Sequence, residues 1–317
     1  MTPNLNFKLL KAGIAFWIIT VFVSGCTEQK QPDKPKQAHS SCTEHGYLIA
    51  AGGNLTDTAV FRKFLELAGG PDAPVVIITT AATDDDLADA QFYADQEKQW
   101  RGYGFTNFSF MHTRNPIEAN TEAFVEPLIN ARGVWFLGGR QWRLVDAYEE
   151  TLVLDKLQKL LDRRGVIGGS SAGASILASF LARGDTQTNT AMMGDHEKGF
   201  GFFDNTAIDQ HLLAMNRQFD IFEILDAHPG MLGLGLDENT AIVAHGNQFE
   251  VIGKSYVAVY DGTFYREVRD KDDWNHKEGE ISELPKGSHK FYLLKAGQKY
   301  DIYSRRVLQE GDSVLDQ

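Results

Sequence analysis

Gly165-Val166-Ile167-Gly168-Gly169-Ser170-Ser171-Ala172-Gly173-Ala174 passes from a short apolar run into a cluster of small residues, and then into a helical pattern over 172–183. The order is strand, tight turn, helix. A Ser at such a turn is pushed clear of the sheet. It also meets a helix N-terminus, whose free N–H groups favour a developing anion. Ser171 has Gly169 two residues before it and Gly173 two after, so it fills the serine of G-x-S-x-G. Ser170 does not, and reads as a helix cap. A plain N-cap before a close-packed helix is the competing reading of the motif alone.

The same strand pattern recurs on either side. Tyr47–Ala51 ends at Gly52-Gly53, Val75–Ile78 at Thr79-Thr80, and Val134–Leu137 at Gly138-Gly139; Ala241–Ala244 is a fifth apolar run. Runs apolar on both faces fit buried parallel strands. Helical patterns at 58–68, 87–103, 121–131 and 142–162 lie between them. The alternation predicts an α/β fold with a doubly wound, mostly parallel sheet. Ligands bind outside the carboxyl ends of such strands. Gly52-Gly53, Thr79-Thr80, Gly138-Gly139 and Ser170-Ser171 should therefore share one rim. After Gly246, Phe249–Val259 and Phe291–Ser304 read as added edge strands and hairpins, with a charged loop at 266–286 between them.

The chain has 317 residues, 31 Lys and Arg against 43 Asp and Glu, and a net charge of −12. That charge disfavours nucleic acid as a partner, since such binding needs a cationic face. Two Cys exclude a disulfide scaffold.

Lys8 and Lys11 precede an apolar run from Ala12 to Val23, too short to span a bilayer and of the length of a signal peptide core. Val23-Ser24-Gly25 before Cys26 resembles a lipoprotein cleavage site. Residues 1–25 are expected to be removed, with Cys26 lipidated and the mature charge at −14. Residues 26–44 read as a flexible tether, 45–308 as the folded domain, and 309–317 as a tail. Thr27 after the Cys implies, by the same resemblance, an exported protein anchored at the outer membrane. Cys42 reads as a bystander.

A serine nucleophile needs a base, and the base needs an orienting acceptor. Nine His are present, and composition alone does not choose among them. No HExxH occurs, and Asp195-His196-Glu197 has no second His at helical spacing, so no metal is expected. Gly233-Leu234-Gly235 is too short a fragment to argue for a dinucleotide, and no cofactor is expected.

Four landmarks then stand in order: Phe136-Leu137-Gly138-Gly139-Arg140-Gln141; Gly168 to Ala174; Ile208-Asp209-Gln210-His211; and Leu234-Gly235-Leu236-Asp237-Glu238-Asn239-Thr240-Ala241. Together they resemble the cyanophycinase branch of peptidase family S51, which also contains peptidase E, over about residues 46–308. The resemblance implies a flavodoxin-like, class I glutamine amidotransferase-like fold with a C-terminal β extension. It implies Ser171 as nucleophile, His211 as base and Glu238 as the acidic member, with Asp237 competing for that last role. It places Gly139 and Ala172 at an oxyanion hole, and Gln141, Asp209, Gln210 and Arg217 around the substrate. The implied substrate is a β-aspartyl peptide or cyanophycin, a poly-aspartate carrying Arg on each side chain. Met215 and Asp220 stand where the family resemblance leads one to expect further cations. An Asp there repels a carboxylate-rich substrate at close range.

The alternatives are an α-aspartyl dipeptidase of peptidase E type and an inactive surface-anchored binding lipoprotein. The segment 247–308 argues against the first, and the complete Ser171, His211, Glu238 set against the second. The sequence is silent on oligomeric state; the resemblance brings in a homodimer.

Overall fold

A computed structural model describes residues 39–263 and 290–309. All of them belong to one compact unit, Ala38–Gln317. Residues 1–25, Cys26, the charged stretch 266–286, His276, His289 and the tail from 310 lie outside the described residues.

The first half alternates strand and helix. In order these are β1 (Tyr47–Ala51), α1 (Ala59–Ala68), β2 (Val75–Ile78), α2 (Asp84–Ala88), α3 (Ala90–Gly102) and β3 (Phe108–Met111). Then come α4 (Pro116–Ala119), α5 (Glu122–Asn130), β4 (Gly133–Phe136), α6 (Trp142–Tyr148), α7 (Leu152–Asp162) and β5 (Val166–Ser170). After the Ser171 turn follow α8 (Ala172–Ser175), β6 (Ala178–Phe180), β7 (Phe203–Gln210), α9 (Phe222–Ala227) and β8 (Leu232–Leu236). The chain closes with β9 (Thr240–His245), β10 (Gln248–Gly253), β11 (Tyr256–Tyr260), β12 (Tyr292–Lys295), β13 (Lys299–Asp301) and β14 (Arg306–Leu308).

Two sheets result. The larger runs β14-β13-β10-β9-β1-β5-β4-β2-β3; its half from β1 to β3 is parallel, and β9, β10, β13 and β14 continue it antiparallel. The smaller runs β12-β11-β8-β7-β6, with β6, β7 and β8 parallel. Alternate residues of each central strand enter different cores, as a period of two requires. Ile49, Ile77, Trp135 and Val166 pack with Phe61, Phe64 and Trp100 of α1 and α3. Leu48, Ile78, Phe136 and Ile167 pack with α5 to α8 and with Ile208 and Leu234 of the smaller sheet. This is the expected doubly wound α/β architecture, with helices on both faces of a mostly parallel sheet.

Several expectations need correction. The helix expected over 172–183 stops at Ser175, because Ala178–Phe180 pairs with β7 instead. The 142–162 helix is two helices, broken at Glu149 and Glu150, where Glu150 takes a positive φ of 58°. The 87–103 pattern likewise splits, with Asp89 capping α3. The Ala241–Ala244 run is antiparallel to β1, not parallel. Phe249–Val259 is two strands, β10 and β11, which diverge into different sheets. Ser40 and Cys42 are already buried, so packing begins before residue 45. Burial pushes the Cys42 thiol up to about 12.

Candidate active site

The carboxyl end of β1 is the hub on which the site is assembled. Three successive carbonyls each hold one incoming loop: Ala51 O accepts Ser171 N–H at 2.9 Å, Gly52 O accepts His211 N–H at 3.0 Å, and Gly53 O accepts Asn239 N–H at 3.1 Å. The loops arrive from β5, β7 and β8, so the site straddles the junction of the two sheets.

Ser171 occupies the N-cap of α8 with φ 55° and ψ −118°, a sparsely populated conformation for a non-glycine residue. Both flanking glycines are required by contact. A Cβ on Gly169 would run into the carbonyl of Gly173, and one on Gly173 into that of Phe136. Ser170, expected to cap the helix, ends β5 instead.

His211 follows the last residue of β7, also with a positive φ, 53°. Its Nε2 lies 2.9 Å from Ser171 Oγ and its Nδ1 2.8 Å from Glu238 Oε1. Asn54 Nδ2 donates to the second Glu238 oxygen at 2.7 Å. The Asn54 amide first, and the His211 ring second, hold the Glu238 carboxyl below its ordinary value. Asp237 faces elsewhere. Its Oδ1 accepts the amides of Leu213 at 2.8 Å and Ala214 at 3.0 Å, and its Oδ2 accepts the Ser255 hydroxyl. The carboxylate on His211 is therefore Glu238, and Asp237 fixes the turn that carries His211.

Gly138 lies against Ser171, such that a Cβ on it would be 3.3 Å from the serine Cβ. Gly139 has φ 140° and sits so close to the Ala81 carbonyl that no side chain fits. Among the described residues, neither the Gly139 nor the Ala172 amide has a hydrogen-bond acceptor. One of these amides follows Ser171 directly in the chain, and the other follows Gly138, which packs against the serine. Of the expected rim, Thr79-Thr80 takes no part: Thr80 Oγ1 lies 3.1 Å from His112 Nδ1 and 2.6 Å from the Tyr148 hydroxyl.

The residues expected around a substrate are arranged differently. Gln141 and Asp209 are fully buried. Gln141 Nε2 donates to the carbonyls of Ala182 at 2.6 Å and Arg183 at 2.9 Å. Asp209 receives the Arg183 guanidinium in a bidentate pair at 2.8 and 3.0 Å. Neither side chain lines an open site; both hold the Arg183 segment. Gln210 Oε1 accepts Arg217 Nη1 at 2.8 Å, and Arg217 itself is partly exposed.

Arg183 escapes the sequence reading, because it stands at the end of an expected helix. It also donates to Asp220. Burial alone would lower its pKa, but the Asp209 and Asp220 carboxylates outweigh that and raise it. Asp220 is thereby engaged, but one guanidinium shared by two carboxylates leaves the cluster with one negative charge in excess. Asn54 is the other residue not anticipated; its signal is the Gly-Gly-Asn sequence at a strand end. No group of three metal-ligating side chains is gathered among the described residues.

The arrangement can do one kind of chemistry directly. His211 can take the Ser171 proton, Glu238 can hold the resulting imidazolium, and two amides can receive an oxyanion.

The sequence profile described as peptidase family S51 matches residues 47–252. The cyanophycinase of Synechococcus elongatus is 26% identical over 280 residues, covering 86% of this chain and 84% of that protein. The cyanophycinase of Nostoc sp. is 24% identical over 272 residues, 84% and 88% of the two chains. A solved structure of a peptidase from an acI-B1 Actinobacterium superposes with a TM-score of 0.59 at 21% identity, covering 84% of this chain and 98% of that one. At that identity the likeness speaks to the fold alone.

Proposed function

Because the chain belongs to peptidase family S51, we propose that it is a serine exopeptidase that hydrolyses β-aspartyl peptides in the manner of the cyanophycinases it is similar to. The observation that carries the reading is the Ser171–His211–Glu238 relay, with contacts of 2.9 and 2.8 Å.

His211 Nε2 removes the Ser171 proton as Oγ attacks the substrate carbonyl. The Gly139 and Ala172 amides hold the oxyanion. Glu238 fixes the tautomer that leaves Nε2 free to accept, and stabilises the imidazolium. His211 then gives its proton to the departing amine. The C–N bond breaks, and an acyl ester on Ser171 remains. Water, deprotonated by His211, attacks that ester and frees the serine. Removal of one oxyanion donor typically costs about 10²–10³ in rate. Arg217, with Nη1 tied to Gln210, supplies charge for a substrate carboxylate. The same proposal places the protein outside the cytoplasm on a lipid attached to Cys26. Support for that comes from the apolar run ending in Val23-Ser24-Gly25-Cys26.

The test is incubation with cyanophycin and with β- and α-aspartyl dipeptides, reading products by mass, beside the Ser171→Ala variant. Release of β-Asp-Arg by wild type alone is the expected result. Cleavage confined to α-aspartyl dipeptides moves the substrate to the peptidase E type. Absence of any Ser171-dependent cleavage overturns the reading.

A further inference from the structure

The turn after β2 presents three backbone carbonyls in succession, on Thr80, Ala81 and Ala82, all of them buried residues. Buried carbonyls need donors, and two arginines from other segments supply them. Arg114, just after β3, donates to the Thr80 carbonyl and, at 2.7 Å, to that of Ala82; it also pairs with Asp84 at 2.9 Å. Arg143, the second residue of α6, donates from Nη1 to the Ala81 carbonyl at 3.1 Å and to that of Ala82 at 2.6 Å. Its guanidinium carbon lies 5.3 Å from the centre of the Trp142 ring. The ring and the two carbonyls together fix the head of a long side chain.

The Ala81 carbonyl connects this turn to the chemistry. It accepts the Arg140 N–H at 2.9 Å, which fixes the peptide plane between Gly139 and Arg140. It also lies directly against Gly139, 2.0 Å from where a Cβ would stand. The preceding plane, which carries the Gly139 N–H, is set by Gly138 packing against Ser171. With both planes held, Gly139 keeps its φ of 140° and its N–H keeps one direction. An oxyanion donor is effective when it is fixed before the charge arrives, because no reorganisation is then needed during the reaction. Of the two arginines, Arg143 reaches the Ala81 carbonyl, and Arg114 reaches its neighbours on either side.

We propose that Arg143 is a positioning residue for the reaction: through the Ala81 carbonyl it holds the Gly139 amide where the oxyanion forms. Arg114 steadies the same turn without touching that carbonyl, and serves stability more than rate. The inference rests on the oxyanion role proposed for Gly139. Arg143 acts on the transition state alone, so its loss slows the chemical step and leaves substrate affinity in place. A single nitrogen, Nη1, makes both carbonyl contacts. A lysine ammonium, with three donors, can replace that part of the function.

The experiment compares Arg143→Met, Arg143→Lys and Arg114→Met with wild type on cyanophycin and on β- and α-aspartyl dipeptides, with the rate of Ser171→Ala subtracted. Melting temperatures and exchange of the Arg140 amide, read by NMR, are measured on the same proteins. Arg143→Met should lower kcat by about ten- to a hundredfold, the scale of a misplaced oxyanion donor, with KM nearly unchanged. Arg143→Lys should recover part of that loss. Arg114→Met should lower the melting temperature at least as much, yet lose severalfold less kcat. Exchange of the Arg140 amide should quicken in Arg143→Met. Equal kcat losses in the two Met variants, a loss that follows melting temperature, or a raised KM with kcat unchanged overturns the inference and leaves the nucleophile in place. If wild type cleaves none of these substrates through Ser171, the proposed function fails instead. The Arg140 amide then decides: quicker exchange in Arg143→Met, with β4 and β5 unchanged, supports the positioning role, and exchange as in wild type overturns it.

Discussion

Gly53 lies flat against the imidazole of His211: a Cβ at position 53 would overlap ring atom Cε1 and stand 2.7 Å from Nε2. The residue also has φ +108° and uses its carbonyl to hold Asn239. One glycine thus sets the depth of the base and the place of the acidic loop together. Gly53→Ala should therefore impair catalysis well beyond its effect on folding. A base displaced by an ångström costs about a hundredfold in rate, whereas backbone strain of this kind costs ~1–3 kcal/mol. Steady-state kinetics beside a denaturant curve separates the two. Equal kcat/KM in the variant would mean the ring is not positioned by this contact.

Glu238 and Asp237 are neighbours with separable duties. Glu238→Gln should lower kcat by roughly 10³–10⁴, as expected when a histidine loses its orienting anion, with little change in melting temperature. Asp237→Ala strips the Leu213 and Ala214 amides and the Ser255 hydroxyl of their acceptor. It should cost ~1–3 kcal/mol of stability. If Asp237→Ala were the purely catalytic lesion and Glu238→Gln the unstable one, the assignment would be reversed.

The Glu238 carboxyl is held below its ordinary value, chiefly by Asn54. A carboxyl depressed in the folded state stabilises the protein above its unfolded pKa, and loses that contribution as pH falls through the folded one. Asn54→Gly keeps the positive φ of 43° and removes the amide. The variant should be less stable than wild type at neutral pH, and the gap should close below about pH 4, near the ordinary carboxylate pKa. Chemical denaturation across that range reads it directly. A gap that stays constant with pH would remove Glu238 as its source.

Arg183 neutralises Asp209 in a fully buried pair. Arg183→Met leaves that carboxylate alone and should destabilise by ~3–5 kcal/mol. Arg183→Met combined with Asp209→Leu should recover most of the loss. Urea unfolding of the two variants is the comparison. Recovery absent from the double variant would mean that Arg183 matters for the Asn189 carbonyl, which it also reaches at 3.0 Å, rather than for Asp209.

What could be read in advance follows from how each residue earns its place. Strands β1, β2, β4 and β5 are buried on both faces, so their apolar runs are unmistakable, and their ends locate the rim. The smaller sheet was hidden for physical reasons. β7 reads Phe-Asp-Asn-Thr-Ala-Ile-Asp-Gln, with only Ala-Ile as an apolar run, and β8 alternates Leu with Gly. β6 continues a helix-like Ala-Ser-Ile-Leu pattern, and only its partner β7 makes it a strand. Ser171 was legible from its flanking glycines, whereas His211 and Glu238 came through resemblance, since only the fold brings them within 3 Å of their partners. The duty of Gln141 and Asp209 is not legible in the sequence, because the Arg183 segment they hold lies far from each of them along the chain.

The central claim is that Ser171 is a nucleophile activated by His211 and Glu238. The most direct measurement is labelling of the folded protein with a fluorophosphonate, followed by intact mass and peptide mapping. One adduct, on Ser171, is the predicted result, absent from Ser171→Ala and strongly slowed in His211→Ala. Equal labelling of wild type and Ser171→Ala, or no adduct on the folded wild type, would contradict it.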